Sequence, residues 1–168
     1  MTVEIREVRP EEYEEAGRVT ADAYRPYARG DDWDEYLKHI ANVADRARRT
    51  TILAAFEDGR ILGTVTLELD RRVEEGADHA EALRLPPDEA HIRMLGVDPS
   101  AQGRGIGRAL MDESIRIARE HGKTLMTLHT TERMRAAQRM YERMGFLRKP
   151  DWKVSEDFSL LSYELALG

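Results

Sequence analysis

The sequence predicts an α/β fold built on a central mixed sheet, and three features of the 168-residue chain carry that expectation. The run Val97-Asp98-Pro99-Ser100-Ala101-Gln102-Gly103-Arg104-Gly105-Ile106-Gly107-Arg108-Ala109 lies between an apolar run and a long amphipathic segment, and reads as strand, glycine turn and helix start. Asp58-Gly59 between two apolar runs marks an antiparallel hairpin. Two later strand–helix units imply parallel neighbours, because a crossover helix returns the chain in the same direction.

Each element has its own signal. Val3 to Val8 alternates Val3 and Ile5 against Glu4 and Arg6, the period of a half-buried strand. Pro10 suits the first position of a helix, Glu11 and Glu12 suit its dipole, and Tyr13, Ala16, Gly17, Thr20, Ala23 and Tyr24 form one stripe. Pro26 ends that helix near Arg25. A second helix follows Gly30, with Trp33, Tyr36, Leu37, Ile40, Ala44 and Ala47 on one face. Thr51 to Phe56 and Arg60 to Leu69 are the hairpin strands. Arg71 to Pro87 is polar, holds adjacent prolines, and reads as a loop with a short helix over Asp78 to Leu85.

Ala90 to Val97 is the next strand and Gln102 to His121 the next helix. Ile106, Gly107, Leu110, Met111, Ser114, Ile115, Ile117 and Ala118 fill one half of its wheel, wide enough to pack on a sheet, and Gly122 caps it. Thr124 to Thr130 is a strand, and Glu132 to Met144 a helix with Met134, Ala137, Tyr141 and Met144 inward and Gly145 as its stop. Phe146 to Arg148 makes a short strand, Lys149-Pro150-Asp151 breaks the chain, and Phe158 to Leu167 closes it as a strand. Without an internal repeat or linker, residues 1–168 read as a single domain.

Composition narrows the function. The chain has no cysteine, which leaves no disulfide framework, thiol nucleophile or Cys-based zinc site. Its start has no basic region followed by an apolar core, and no run approaches the ~20 apolar residues of a membrane span, so a cytoplasmic protein without membrane attachment is expected. A net charge of −6 argues against nucleic acid as partner. The acidic groups Glu11, Glu12, Glu14, Glu15 and Asp31, Asp32, Asp34, Glu35 read as solvated helix faces.

Gly103, Gly105 and Gly107 open the backbone at a helix N-terminus, where unpaired N–H groups favour an anion. The spacing GxGxG lacks the dinucleotide fingerprint and its distal acid, since the chain has Thr127 in that region; Gly107-Arg108-Ala109 excludes a Walker A loop. Gln102-Gly103-Arg104-Gly105-Ile106-Gly107 instead resembles the QxxGxG loop of the GNAT-type N-acetyltransferase superfamily. Arg139-Met140-Tyr141-Glu142-Arg143-Met144-Gly145-Phe146 resembles that family's LYxxxGF signature, with Met140 for Leu. The element order agrees over nearly the whole chain, so the resemblance implies a GNAT-like fold: a central mixed sheet with two early helices, a glycine-loop helix and a late tyrosine-bearing helix.

That resemblance implies acetyl-CoA as co-substrate, no metal, and direct transfer to a primary amine, a small molecule slightly favoured over a protein. The N–H groups of Gly103 to Arg108 would cradle the pyrophosphate, with charge from Arg104 and Arg108, the family residue Gln102, and the pantetheine arm pairing along Leu95, Gly96 and Val97. Gly96 is equally a packing glycine under a helix. Many relatives carry Glu six residues before the strand-ending Val; here His91 stands there, an imidazole that can accept a proton near neutral pH, with Glu89 as substitute carboxylate and His129 as a third candidate.

Tyr141 is the family's acid toward the departing sulfur, although periodicity alone makes it a core aromatic. Met134 replaces an Asn found in several protein N-terminal acetyltransferases, which weakens a protein acceptor. Tyr24, Tyr27, Trp33 and Tyr36 form either an acceptor wall or simply core stripe. A monomer or homodimer is expected. The rival of a different class is a non-catalytic acyl-CoA sensor, which keeps the glycine loop without base and acid.

Overall fold

A computed structural model of the chain describes residues 2–27, 33–70, 85–156 and 158–168. The strands are β1 (Glu4–Glu7), β2 (Thr51–Glu57), β3 (Arg60–Glu68), β4 (Glu89–Val97), β5 (Leu125–Thr130), β6 (Leu147–Ser155) and β7 (Phe158–Ala166). The helices are α1 (Tyr13–Tyr24), α2 (Trp33–Ala41), α3 (Val43–Arg46), α4 (Ile106–Glu120) and α5 (Arg135–Arg143). All seven strands form one sheet in the order β1-β2-β3-β4-β5-β7-β6. β4 and β5 pair in parallel and the other neighbours antiparallel, as the hairpin and the crossover through α4 require.

The sheet is buried on both faces. Leu53, Ala55, Ile92 and Met126 join Leu110 and Met111 of α4 and Tyr141 of α5 in one cluster. Ile52, Ala54 and Phe56, the alternate residues of β2, meet Val19 of α1 and Val43 of α3 on the other. Ala21, Leu37 and Ile40 of α1 and α2 close over Met94 beside them. Gly17 lets α1 and α2 pack closely, since a Cβ there would lie 2.0 Å from the Ala41 carbonyl oxygen.

Four expectations need correction. The helix running from Trp33 toward Ala47 is two helices, because the side chain of Asn42 accepts from the Asp45 N–H and starts a new one. The helix expected from Gln102 begins at Ile106, since Gly103 and Gly105 have φ of 81° and 80°, outside helical space. The helix expected from Glu132 begins at Arg135. Lys149-Pro150-Asp151 does not break the chain: β6 runs through it, with an irregular register between Lys149 and Trp152. β6 is the edge strand, so the missing Pro150 N–H costs the sheet no inner bond. Of the loop expected over Arg71 to Pro87, with its short helix, residues 71–84 lie outside the described residues, as do Gly30, Asp31 and Asp32.

The entry to α1 is fixed electrostatically. Arg6 grips Glu12 with two hydrogen bonds of 2.9 and 2.8 Å, and the Arg9 N–H donates to the same carboxylate at 2.8 Å. Arg6 chiefly, helped by that N–H, holds the Glu12 carboxyl down at about 2. A lowered carboxyl stabilises the fold above its unfolded value of 4.5 and loses that contribution as pH falls toward 2. Glu12→Gln is therefore expected to lower the melting temperature at pH 7 and to match the native protein near pH 2. Thermal melts across that window check it, and a gap independent of pH counts against the pairing.

Candidate active site

The sheet opens at its centre. β4 and β5 pair from Glu89↔Leu125 to Ile92↔Leu128, and beyond that point both strands continue without pairing to each other. β5 stays attached to β7 as far as Thr130↔Leu161 and β4 to β3 as far as Gly63↔Val97, so the sheet parts between these two strands alone. The cause is local: between Thr64↔Gly96 and Thr66↔Arg93, β4 carries one extra residue, and Met94 takes a φ of 55°. Left-handed geometry at a residue with a side chain costs about 1 kcal/mol or more, and such strain gathers at functional sites. The bulge puts Met94 on the α1–α2 side and Leu95 in the cluster beneath α4.

Beside the opening stands the start of α4. Its first intrahelical bond runs from the Ala109 N–H to Gly105 O, which leaves the N–H groups of Ile106, Gly107 and Arg108 without an intrahelical acceptor. Nothing lies within 4 Å of where a Cβ would stand on Gly103 or Gly105, so this backbone is open to a ligand. The Ile106 side chain is core, which leaves its N–H as the available group. Arg104 is engaged in a two-pronged ion pair with Glu57 at the hairpin end, one bond being 3.2 Å, and Arg108 pairs with Asp112 at 3.1 Å. Gln102 is exposed and extended. Gly96 faces α1, where a Cβ would sit 2.8 Å from that of Ala23, so its packing role is visible. The Leu95 carbonyl accepts a 3.1 Å bond from the Tyr24 hydroxyl, and Val97 is half-buried.

His91 and Glu89 are brought together. His91, 1% exposed, has its Nδ1 at 2.7 Å from Thr127 Oγ1, and that hydroxyl donates to Glu89 Oε2 at 2.9 Å. His129 lies next to them, its ring 5.2 Å from that of His91 and 4.8 Å from Trp152, with Nδ1 3.0 Å from Ser162 Oγ. Tyr141 is in the cluster on the α4 face, its ring 5.6 Å from Phe146 and 6.0 Å from Tyr163. Burial raises its phenol above the ordinary value of 10. Burial likewise raises the Tyr24 phenol. Base candidates and acid candidate thus come from opposite faces of the sheet.

Residues 5–146 match the acetyltransferase (GNAT) family. The chain belongs to that family. A mycothiol acetyltransferase from Beutenbergia cavernae is 44% identical over 74 residues, 43% of this chain and 25% of that protein. The chain spans about a quarter of the mycothiol acetyltransferases it matches. A glucosamine 6-phosphate N-acetyltransferase from Trypanosoma brucei brucei is 30% identical over 111 residues, 64% of this chain and 67% of that one. Among solved structures, the PaiA N-acetyltransferase of Thermoplasma acidophilum in complex with coenzyme A superposes with a TM-score of 0.76 at 17% identity, covering 99% of both chains. A GNAT family acetyltransferase from Brucella melitensis in complex with acetyl-CoA gives 0.65 at 24%, covering 99% of this chain and 89% of that one. These two likenesses are of fold.

This GNAT chain also holds polar residues that the sequence reading passed over. Glu68 is fully buried, with the Arg93 Nε 3.5 Å from its Oε1. Arg46, 1% exposed, donates to the His39 carbonyl at 2.9 Å, and burial, with Arg93 nearby, lowers its guanidinium to about 10. Thr20 and Thr64 share a short hydroxyl contact. A signal was available: Thr64, Thr66 and Glu68 alternate along one strand and Glu89, His91 and Arg93 along another, so each polar stripe takes one face of its strand. Trp33 and Tyr36 meet edge to face at 5.2 Å and are half-buried. Among the described residues no group of His, Asp and Glu is arranged to hold a metal, and no helix is long and apolar enough to cross a membrane.

Proposed function

We propose that the chain transfers an acetyl group directly from acetyl-CoA to a primary amine of a small molecule. The observation that carries this reading is the parting of β4 and β5 beside the open N-terminus of α4. A thioester arm can then run along Leu95 to Val97 while the N–H groups of Gly103 to Arg108 meet its phosphates. The fold neighbours crystallised with coenzyme A and acetyl-CoA support the co-substrate, and the relatives named for mycothiol and glucosamine 6-phosphate support a small acceptor. The same reading takes residues 1–168 as one domain acting in the cytoplasm as a monomer or homodimer.

In this reading His91 accepts the proton that the amine loses as its nitrogen attacks the thioester carbon. Backbone N–H groups on the β5 side of β4 beyond Ile92 face the oxygen on which negative charge develops. The carbon–sulfur bond then breaks, and the Tyr141 hydroxyl donates toward the departing sulfur. No covalent enzyme intermediate is required. A panel of amines incubated with acetyl-CoA, followed by release of free thiol, tests the activity; binding without turnover across the panel would favour an acyl-CoA sensor.

The cofactor site has its own test. Gly105→Asp adds a left-handed penalty of about 1 kcal/mol and places a carboxylate at the helix N-terminus, against a phosphate. Coenzyme A binding is expected to weaken ~10-fold or more by calorimetry. Unchanged affinity would put the phosphates elsewhere.

A further inference from the structure

We propose that Thr127 is a positioning residue that, held by Glu89, fixes the tautomer of His91; the inference deepens the reading of His91 as base and rests on it. A hydroxyl has one hydrogen. Ionised Glu89 can only accept, so the Thr127 hydrogen goes to Glu89 Oε2 at 2.9 Å. The Thr127 oxygen, 2.7 Å from His91 Nδ1, must then act as acceptor, and Nδ1 must carry the imidazole hydrogen. Neutral His91 therefore has its lone pair on Nε2, the nitrogen able to take a proton from an amine. The three residues come from facing positions of β4 and β5, the last stretch in which those strands are paired, with His91 opposite Thr127 and Glu89 opposite Leu125.

The consequence is directional. Glu89 stands on the same strand two residues before His91, and the cross-strand hydroxyl bridges them. When Nε2 takes the proton, the bond at Nδ1 is kept and strengthens, since the ring is then a charged donor and Glu89 compensates it through Thr127. Other charged groups stand near the same ring: Glu68 opposite it on β3, Arg93 paired to Glu68, and His129 on β5. The tautomer is set by Thr127 and is therefore the readout.

The imidazole nitrogen chemical shifts of ¹⁵N-labelled protein report the tautomer directly, with the His91 signals identified by their loss in His91→Gln. In the native protein at alkaline pH, Nδ1 is expected to be protonated and Nε2 bare. Thr127→Val keeps the shape and the strand preference but removes the acceptor, so the hydrogen should shift toward Nε2. Glu89→Ala frees the Thr127 hydrogen to point at Nδ1 and should move the tautomer the same way, which guards against a valine variant that does not fold. With a confirmed amine, Thr127→Val should lose turnover about 10- to 100-fold with the KM for acetyl-CoA little changed, and Thr127→Ser should restore it. A native His91 protonated on Nε2, or a tautomer indifferent to both variants, overturns the proposal. The shifts need no substrate, so the expected tautomer in a protein that acetylates no amine would sink the functional reading and leave the relay standing.

Discussion

His91→Gln is expected to lower kcat/KM for the amine by 10²–10³-fold, in the range that a positioned general base supplies. The native rate should fall as pH drops, because a base that has taken up its proton can accept no other, and this acidic limb should be altered in the variant. Glutamine is near in size, so a ring 1% exposed and surrounded by Thr127 and His129 loses its basicity with limited loss of packing. The control is a melting curve, since a buried change of this kind also costs stability. A folded variant with the native rate and limb would move the base to Glu89 or His129, or would mean that the amine arrives deprotonated.

Much of the architecture was legible because it is written locally. Asp58 and Gly59 carry the positive φ values of 51° and 78° that a tight hairpin turn needs, and Gly122 caps α4 with one of 75°. The break at Asn42 was legible in principle, an amide side chain competing for a backbone N–H, but the apolar stripe from Trp33 to Ala47 runs across it unchanged. β6 through Pro150 was not, because a proline is acceptable only on an edge strand and nothing local says that β7 lies between β5 and β6.

The site divides in the same way. The glycine turn is a contiguous signal, and its unpaired N–H groups follow from helix geometry. The opening of the sheet depends on one extra residue in β4, a fact about register with β3 that no period in β4 reveals. Thr127 stood in the sequence as the residue that ruled out a dinucleotide fold. Its link to His91 comes from the pairing of β4 with β5, 36 positions apart, and pairing across a crossover helix is not encoded in either strand alone. Arg46 and Glu68 escaped for a plainer reason: charged residues are taken as exposed unless a partner is seen, and the partners are distant in the chain.

Tyr141→Phe is expected to reduce turnover on the order of 10²-fold while the fold hardly changes. The ring is 4% exposed and rests against Phe146 and Tyr163, contacts a phenyl ring keeps, so the stability change should stay below ~1.5 kcal/mol. The hydroxyl is what is lost. Burial raises this phenol above its ordinary range, so it stays protonated through the pH range of activity and is always available as a donor. An ordinary thiol releases its proton near ~8.5, well below such a phenol, so outright transfer from Tyr141 to the sulfur runs uphill. A hydrogen bond that strengthens as negative charge gathers on sulfur does not, and that is the role the burial favours. The effect should therefore appear in kcat and kcat/KM together, with the affinity for acetyl-CoA little altered. A phenylalanine variant with native kcat, where chemistry limits the rate, would return Tyr141 to the core as a packing residue.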